Sequence, residues 1–401
     1  MRRVIFPLLA VLGMFTMACD PTLVDPGTDE TEEPITASDF PAIEAAFGGA
    51  IDMENLPNYA NQAVPNYITN DNTDDNVITD AGATLGRVLF YDKNLSENGT
   101  VACASCHQQQ FAFGDALQAS EGANGTTGRH SMRLINARFA SEARFFWDER
   151  AATLEEQTTM PIQDHTEMGF SGENGDPGIE DLADRLEEIG YYQELFAYVF
   201  GDAEVTEERM QIALAQFVRS IQSFDSKFDA GRSRSNNDRN NFANFTAEEN
   251  LGKQLFLTPP QLDNNGLRTG GGFGCQGCHE APEFDIDPNS RNNGFTSSFT
   301  GVEDETITRS PTLRDLFDAE GNLNGGMMHT GELTSIEAVL AHYGNIDPRG
   351  NGNLDRRLAN RGAGQTFTLD PAEVNALEAF MKTLSGTDVY TNAKWSDPFP
   401  N

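Results

Sequence analysis

Cys103-Ala-Ser-Cys106-His107 and Cys275-Gln-Gly-Cys278-His279 are two copies of one five-residue pattern in a chain of 401 residues. C-x-x-C-H reads as covalent attachment of a c-type haem. Two thioether bonds hold the porphyrin, and the following histidine is forced beside the iron. A disulfide inside each pair is the competing reading, because an exported chain can form one. The chain has five cysteines, and these four are the only ones beyond residue 19. Their identical spacing, with histidine next both times, favours two haems.

Working outward from the motifs, the sequence repeats. Leu85-Gly-Arg-Val-Leu-Phe90 precedes the first motif and Leu251-Gly-Lys-Gln-Leu-Phe256 the second. Trp147 to Gln157 then aligns without gaps on His329 to Val339, which sets Leu154-Glu155 on Ile336-Glu337. The chain therefore reads as two copies of one unit, with the break in the polar run from Ser233 to Asn244. The predicted domains are 41–240 and 241–401. The predicted fold is mainly α, with two cytochrome c-like domains. Helical spacing of apolar residues appears over Gly190–Phe200 and Thr206–Phe224. Asp370-Pro-Ala-Glu starts another helix, with an N-cap and Pro at N1, that runs to Leu384 ahead of Gly386.

The bulk numbers exclude some classes. A formal net charge of -35 repels nucleic acid and favours cationic partners. Hydrophobic residues make up 38 % of the chain, low for one large apolar core, and two haems would fill part of that deficit. Residues 1–19 read as an export signal: Arg2 and Arg3, then an apolar run too short for a membrane span. Its end, Thr16-Met-Ala-Cys19, approximates a bacterial lipobox, with ordinary signal cleavage as the alternative. Lipidated Cys19 would attach the chain to a membrane, in a periplasmic or cell-envelope location. The acidic stretch 20–40 reads as a disordered tether.

Leu85 to His107, Phe145-Phe-Trp-Asp-Glu-Arg150, Leu154-Glu-Glu-Gln157, Pro161-Ile162, Glu167-Met-Gly169, Ser310-Pro-Thr-Leu-Arg314 and the C-terminal helix together resemble the bacterial di-haem cytochrome c peroxidase and MauG superfamily. The resemblance spans about residues 80 to 386. It implies a peroxide site at the N-terminal haem, with a distal pocket of Gln157, Pro161 and Glu167. Such chemistry needs a group that takes a proton from one peroxide oxygen and returns it to the other, and a carboxylate in a poorly solvated pocket suits that task. Glu155 and Glu156, in contrast, read as a solvated helix face. The resemblance also implies Trp147 as an electron relay between the haems, where a core aromatic is the plain alternative. It implies a calcium ion between the haems, held by Asn136 and by backbone carbonyls near Arg309 and Pro311.

The second haem departs from the peroxidase pattern. Tyr343 falls where the peroxidases carry a ligating methionine, as in MauG-type members, and aligns internally with Pro161. Met327, Met328 and His342 compete with it as ligand. His329 reads as structural. His130 is a candidate cap over the first haem, and His165 reads as a surface loop residue. The implied activity is reduction of hydrogen peroxide with electrons from a small cytochrome c or cupredoxin, with a homodimer as a candidate assembly. Two alternatives stand beside it. One is a MauG-like enzyme that oxidises a protein through a bis-ferryl state. The other is a di-haem carrier with no reactive pocket.

Overall fold

The Leu-Gly pair of the repeat marks where two helices cross at backbone contact. In the computed structural model, which describes residues 36, 39–73, 75–141 and 144–400, helix Asp80–Tyr91 packs against Glu207–Ser220, and helix Ala247–Leu257 packs against Pro371–Lys382. A Cβ on Gly86 would sit 2.0 Å from the Ala213 carbonyl oxygen, and one on Gly252 would sit 1.8 Å from that of Ala376. Only glycine permits either crossing, so the two units share one packing device. Gly86→Ala is expected to cost about 1–3 kcal/mol, the range for forcing extra volume into a packed interior. The check is a lower urea midpoint at unchanged slope. Exposed Gly49, which has nothing within 4 Å of its Cβ position, supplies the control.

Helix starts repeat as well. Thr79, Thr153, Thr206, Thr246 and Ser335 each accept a backbone N–H of the first turn through the side-chain oxygen, which satisfies an otherwise orphaned donor. Thr153 opens helix Leu154–Thr159, and Ser335 opens its counterpart Ile336–Tyr343. The helix expected over Gly190–Phe200 has those bounds. The one expected to reach Phe224 stops at Ser220 because Asn136 captures the chain beyond it. Asn136 N–H donates to the Ile221 carbonyl at 2.9 Å, and Ser223 N–H donates to Asn136 Oδ1 at 2.8 Å. Helix content is 35 % and strand content 8 %, the latter in three two-stranded antiparallel pairs and scattered isolated bridges.

Buried apolar side chains gather in two clusters. One runs from Ile43 to Ile221 and the other from Phe228 to Leu384. The chain then returns to the first cluster, where Val389 and Trp395 are buried. Tyr91 Oη donates to the Trp395 carbonyl at 2.7 Å, and Trp395 Nε1 donates to Ser220 Oγ at 3.3 Å. Between the clusters lies a polar seam built on Arg314, which is fully buried and forms two 3.0 Å bonds to Asp229. Among the described residues no helix is long and apolar enough to cross a membrane. The export signal, Cys19 and nearly all of the tether lie outside the described residues.

Candidate active site

Cys103–Cys106 forms a single helical turn, Cys275–Gly277 a 3-10 turn, and each delivers its histidine to a cavity wall. Cys103, Cys106, Cys275 and Cys278 are free thiols, so neither pair is a disulfide. Each histidine is oriented the same way. His107 Nδ1 lies 3.1 Å from the Phe113 carbonyl oxygen, and the Met132 backbone also bonds this ring. His279 Nδ1 lies 3.0 Å from the Pro311 carbonyl oxygen, with the Phe284 backbone as second partner. A bond from Nδ1–H to a carbonyl fixes the tautomer and leaves Nε2 for a metal. Burial lowers the pKa of both rings, His279 to about 4, which keeps them neutral as ligation requires. Free, partly buried thiols beside an oriented imidazole, facing space, fit a covalently held haem at each cavity.

The two cavities differ in size and in lining. The His107 cavity has a volume of about 620 Å³, and Gln157, Pro161 and Glu167 all line it. Burial pushes the Glu167 carboxyl up to about 7. The charge of Asp164 adds to this and that of Arg150 opposes it. Arg150 lies 3.6 Å above the Phe146 ring, a contact for which its sequence position gave no signal. Glu156 is exposed and accepts the Ala152 N–H at 2.8 Å. Glu155 corrects the expectation of a solvated face: it pairs with the Arg219 guanidinium and accepts from Asn76 Nδ2 at 2.8 Å. Arg219 is buried and requires that counter-charge.

The His279 cavity is smaller, about 150 Å³, and Tyr343, Met327 and Met328 line it. Asn293 Nδ2 lies 3.5 Å from Tyr343 Oη and 3.4 Å from Met328 Sδ, so one amide serves both side chains. No spacing in the sequence marked Asn293. Burial raises the Tyr343 pKa, and the Asn293 bond opposes that rise. His342 points away, with Nε2 at 3.0 Å from the Asn293 carbonyl oxygen.

Trp147 is buried and lines both cavities. Its Nε1 donates to the His130 carbonyl at 2.8 Å, and its own carbonyl accepts from Thr308 and Arg309 N–H at 3.0 Å each. His130 also lines both cavities, with Nδ1 at 2.8 Å from the Leu117 carbonyl oxygen. His329 is buried against Trp147, ring centroids 6.2 Å apart, and its Nε2 lies 2.7 Å from the Ser297 carbonyl oxygen. His165 is exposed and pairs with Asp176 at 2.6 Å.

Asn136 and Pro311, expected at the calcium site, carry hydrogen bonds here. Asn136 Oδ1 is taken by the Ser223 N–H, its Nδ2 donates to Glu283 Oε2 at 3.1 Å, and the Pro311 carbonyl serves His279. The Arg309 guanidinium lies 3.5 Å from Asp285.

A family model described as di-haem cytochrome c peroxidase matches residues 80–237. The methylamine utilization protein MauG of Methylophilus methylotrophus is 30 % identical over 329 residues, 78 % of this chain and 84 % of that protein. The chain belongs to the di-haem cytochrome c peroxidase family. The cytochrome c551 peroxidase of Nitrosomonas europaea is 28 % identical over 317 residues, covering 76 % of this chain and 80 % of that one. Among solved structures, a MauG-like protein associated with microbial copper homeostasis superposes with a TM-score of 0.65 at 25 % identity, over 84 % of this chain and 99 % of that one. Membership in a di-haem family implies two c-type haems, in keeping with the two Cys-Cys-His sets and their cavities.

Proposed function

We propose that this chain reduces hydrogen peroxide at the His107 cavity, with electrons relayed from the His279 haem. The observation that carries the reading is the convergence of Glu167, Gln157 and Pro161 on the cavity that His107 lines. Held by Cys103, Cys106 and His107, the haem would supply the redox chemistry. Gln157 orients the peroxide by hydrogen bonding. Glu167 takes the proton from one peroxide oxygen and returns it to the other, which leaves as water. Overall, one peroxide with two electrons and two protons becomes two waters. Trp147, in the wall of both cavities, passes electrons between the two sites. Trp147→Phe should slow oxidation of the second haem after peroxide mixing at least tenfold, a barrier rise of about 1.4 kcal/mol. An unchanged rate in stopped-flow spectra removes Trp147 from the path.

The reading includes two haem domains, 41–240 and 241–401, export through residues 1–19, and a lipid anchor on Cys19 in the periplasm or cell envelope. A small cytochrome c or cupredoxin with a basic face is the donor, since the net charge of -35 steers such partners. A homodimer is the expected assembly. The deciding experiment mixes the resting holoprotein with stoichiometric peroxide and then with reduced donor cytochrome. Turnover of the donor supports the reading, and two low-spin haems inert to peroxide overturn it.

Tyr343 in the wall of the His279 cavity favours a second reading, a MauG-like oxidation of another protein, in keeping with the similarity to the methylamine utilization protein MauG. An anionic oxygen ligand stabilises ferric iron relative to methionine. Tyr343→Met should therefore raise the second haem's potential by about 59 mV or more, a tenfold shift in its one-electron equilibrium. An unshifted potential means that Tyr343 is not the ligand. Slow donor turnover with a long-lived oxidised state favours the protein-oxidising reading.

A further inference from the structure

We propose that Arg133 is the fixed cation between the two haems and pairs with their propionate carboxylates. The proposal rests on both haems being present.

Position is the first argument. Arg133 lines both cavities. It directly follows Met132, whose backbone bonds the His107 ring, as Thr312 follows Pro311, whose carbonyl serves His279. These matching positions touch: Arg133 Nη2 donates to the Thr312 carbonyl at 2.8 Å. Arg133 thus stands where the two haem-holding segments meet.

Charge is the second argument. Three other arginines line the His107 cavity, and each has a carboxylate partner. Arg129 pairs with Asp148 at 2.7 Å and Asp304 at 2.8 Å, Arg150 with Asp148 at 2.9 Å, and Arg309 with Asp285 at 3.5 Å. Among the described residues Arg133 has no carboxylate within 4.0 Å, and its Nε is buried without a hydrogen-bond partner. A guanidinium removed from water needs an anion, and its fork matches a carboxylate. The groups that enter these two cavities bring such anions, since each haem carries two propionates. A positive charge beside both haems favours their reduced states, so one residue biases both potentials in the same direction.

The test is redox titration of the holoprotein, following each haem by its own absorption band, for wild type, Arg133→Gln and Arg133→Lys. Haem staining first establishes that two haems are attached, which separates failure of the proposal from failure of the two-haem premise. Arg133→Gln should lower both potentials by about 59 mV or more, a tenfold shift in each one-electron equilibrium. Arg133→Lys should retain most of the wild-type value. Unchanged potentials in an Arg133→Gln protein with both haems attached overturn the proposal. So does stoichiometric calcium in the wild type whose removal by a chelator shifts both potentials. A crystal structure of the wild-type holoprotein gives a check that no variant's folding can obscure. A propionate oxygen about 2.7–2.9 Å from the guanidinium is expected, and a guanidinium facing only water refutes the pairing.

Discussion

Glu167→Gln should lower kcat/KM for hydrogen peroxide by about 10²–10⁴-fold, the usual contribution of a positioned proton-transfer group. That loss corresponds to about 2.7–5.4 kcal/mol of barrier. Glutamine keeps the shape and the hydrogen-bonding capacity of the side chain, so only the proton shuttle is removed. The pH profile makes the prediction sharper. Burial pushes the Glu167 carboxyl up to about 7, with Asp164 adding to the rise. The group acts as a base, so only its deprotonated form is competent. The wild-type rate with peroxide should climb as pH rises toward 7 and level off above it, and the climb should vanish in Glu167→Gln. Arg150 is the charge that favours the carboxylate. Arg150→Ala should therefore move the inflection to higher pH. A small loss with an unshifted profile would assign the proton transfer to another group.

The parts of this site that could be read from sequence are those whose chemistry is written in neighbouring residues. Two cysteines and a histidine in five positions specify a haem because the bonds they make are local. The Leu-Gly pairs were visible as a repeat, but their cause was not. Gly86 is small because of Ala213, and Gly252 because of Ala376, and no local pattern links such distant residues. The same limit hid Glu155. Its partner Arg219 lies 64 residues away, so a run of acids on a short helix read as solvated. Asn136 carries a structural role that no local pattern marks: its side chain clamps Ser223, and the helix Glu207–Ser220 ends early. Arg133 and Asn293 sit in no periodic or spaced pattern, and only the enclosing walls reveal what they face.

The largest stability effect should come from the seam between the two apolar clusters. Arg314 is fully buried, makes two 3.0 Å bonds to Asp229 and a 2.9 Å bond to the Pro282 carbonyl, and lies against Phe224 at 5.1 Å. Asp229 also accepts from Tyr67 Oη at 2.7 Å. Removing one member of such a pair leaves the other charge buried and unmatched. Arg314→Met and Asp229→Asn should each cost about 3–5 kcal/mol in urea unfolding of the holoprotein. The double variant should cost less than the sum, by about 0.5–3 kcal/mol. The exposed pair Arg349–Asp347 sets the contrast, and Arg349→Ala should leave the midpoint where it is. The pH dependence follows from two groups of opposite sign. Burial raises the Asp229 pKa, but Arg314, Ser226 and Tyr67 outweigh it and hold the carboxyl below its ordinary value of 3.8. That contribution is present above the ordinary value and is lost as pH falls further. Glu283, 3.6 Å from Arg314, is pushed up by burial to about 7 from an ordinary 4.5. Its contribution is full below 4.5 and is lost as pH rises toward 7. Arg314 is what restrains that rise. Arg314→Met should therefore extend the loss of stability to higher pH, and a slope equal to the wild type's would show that Glu283 does not feel Arg314.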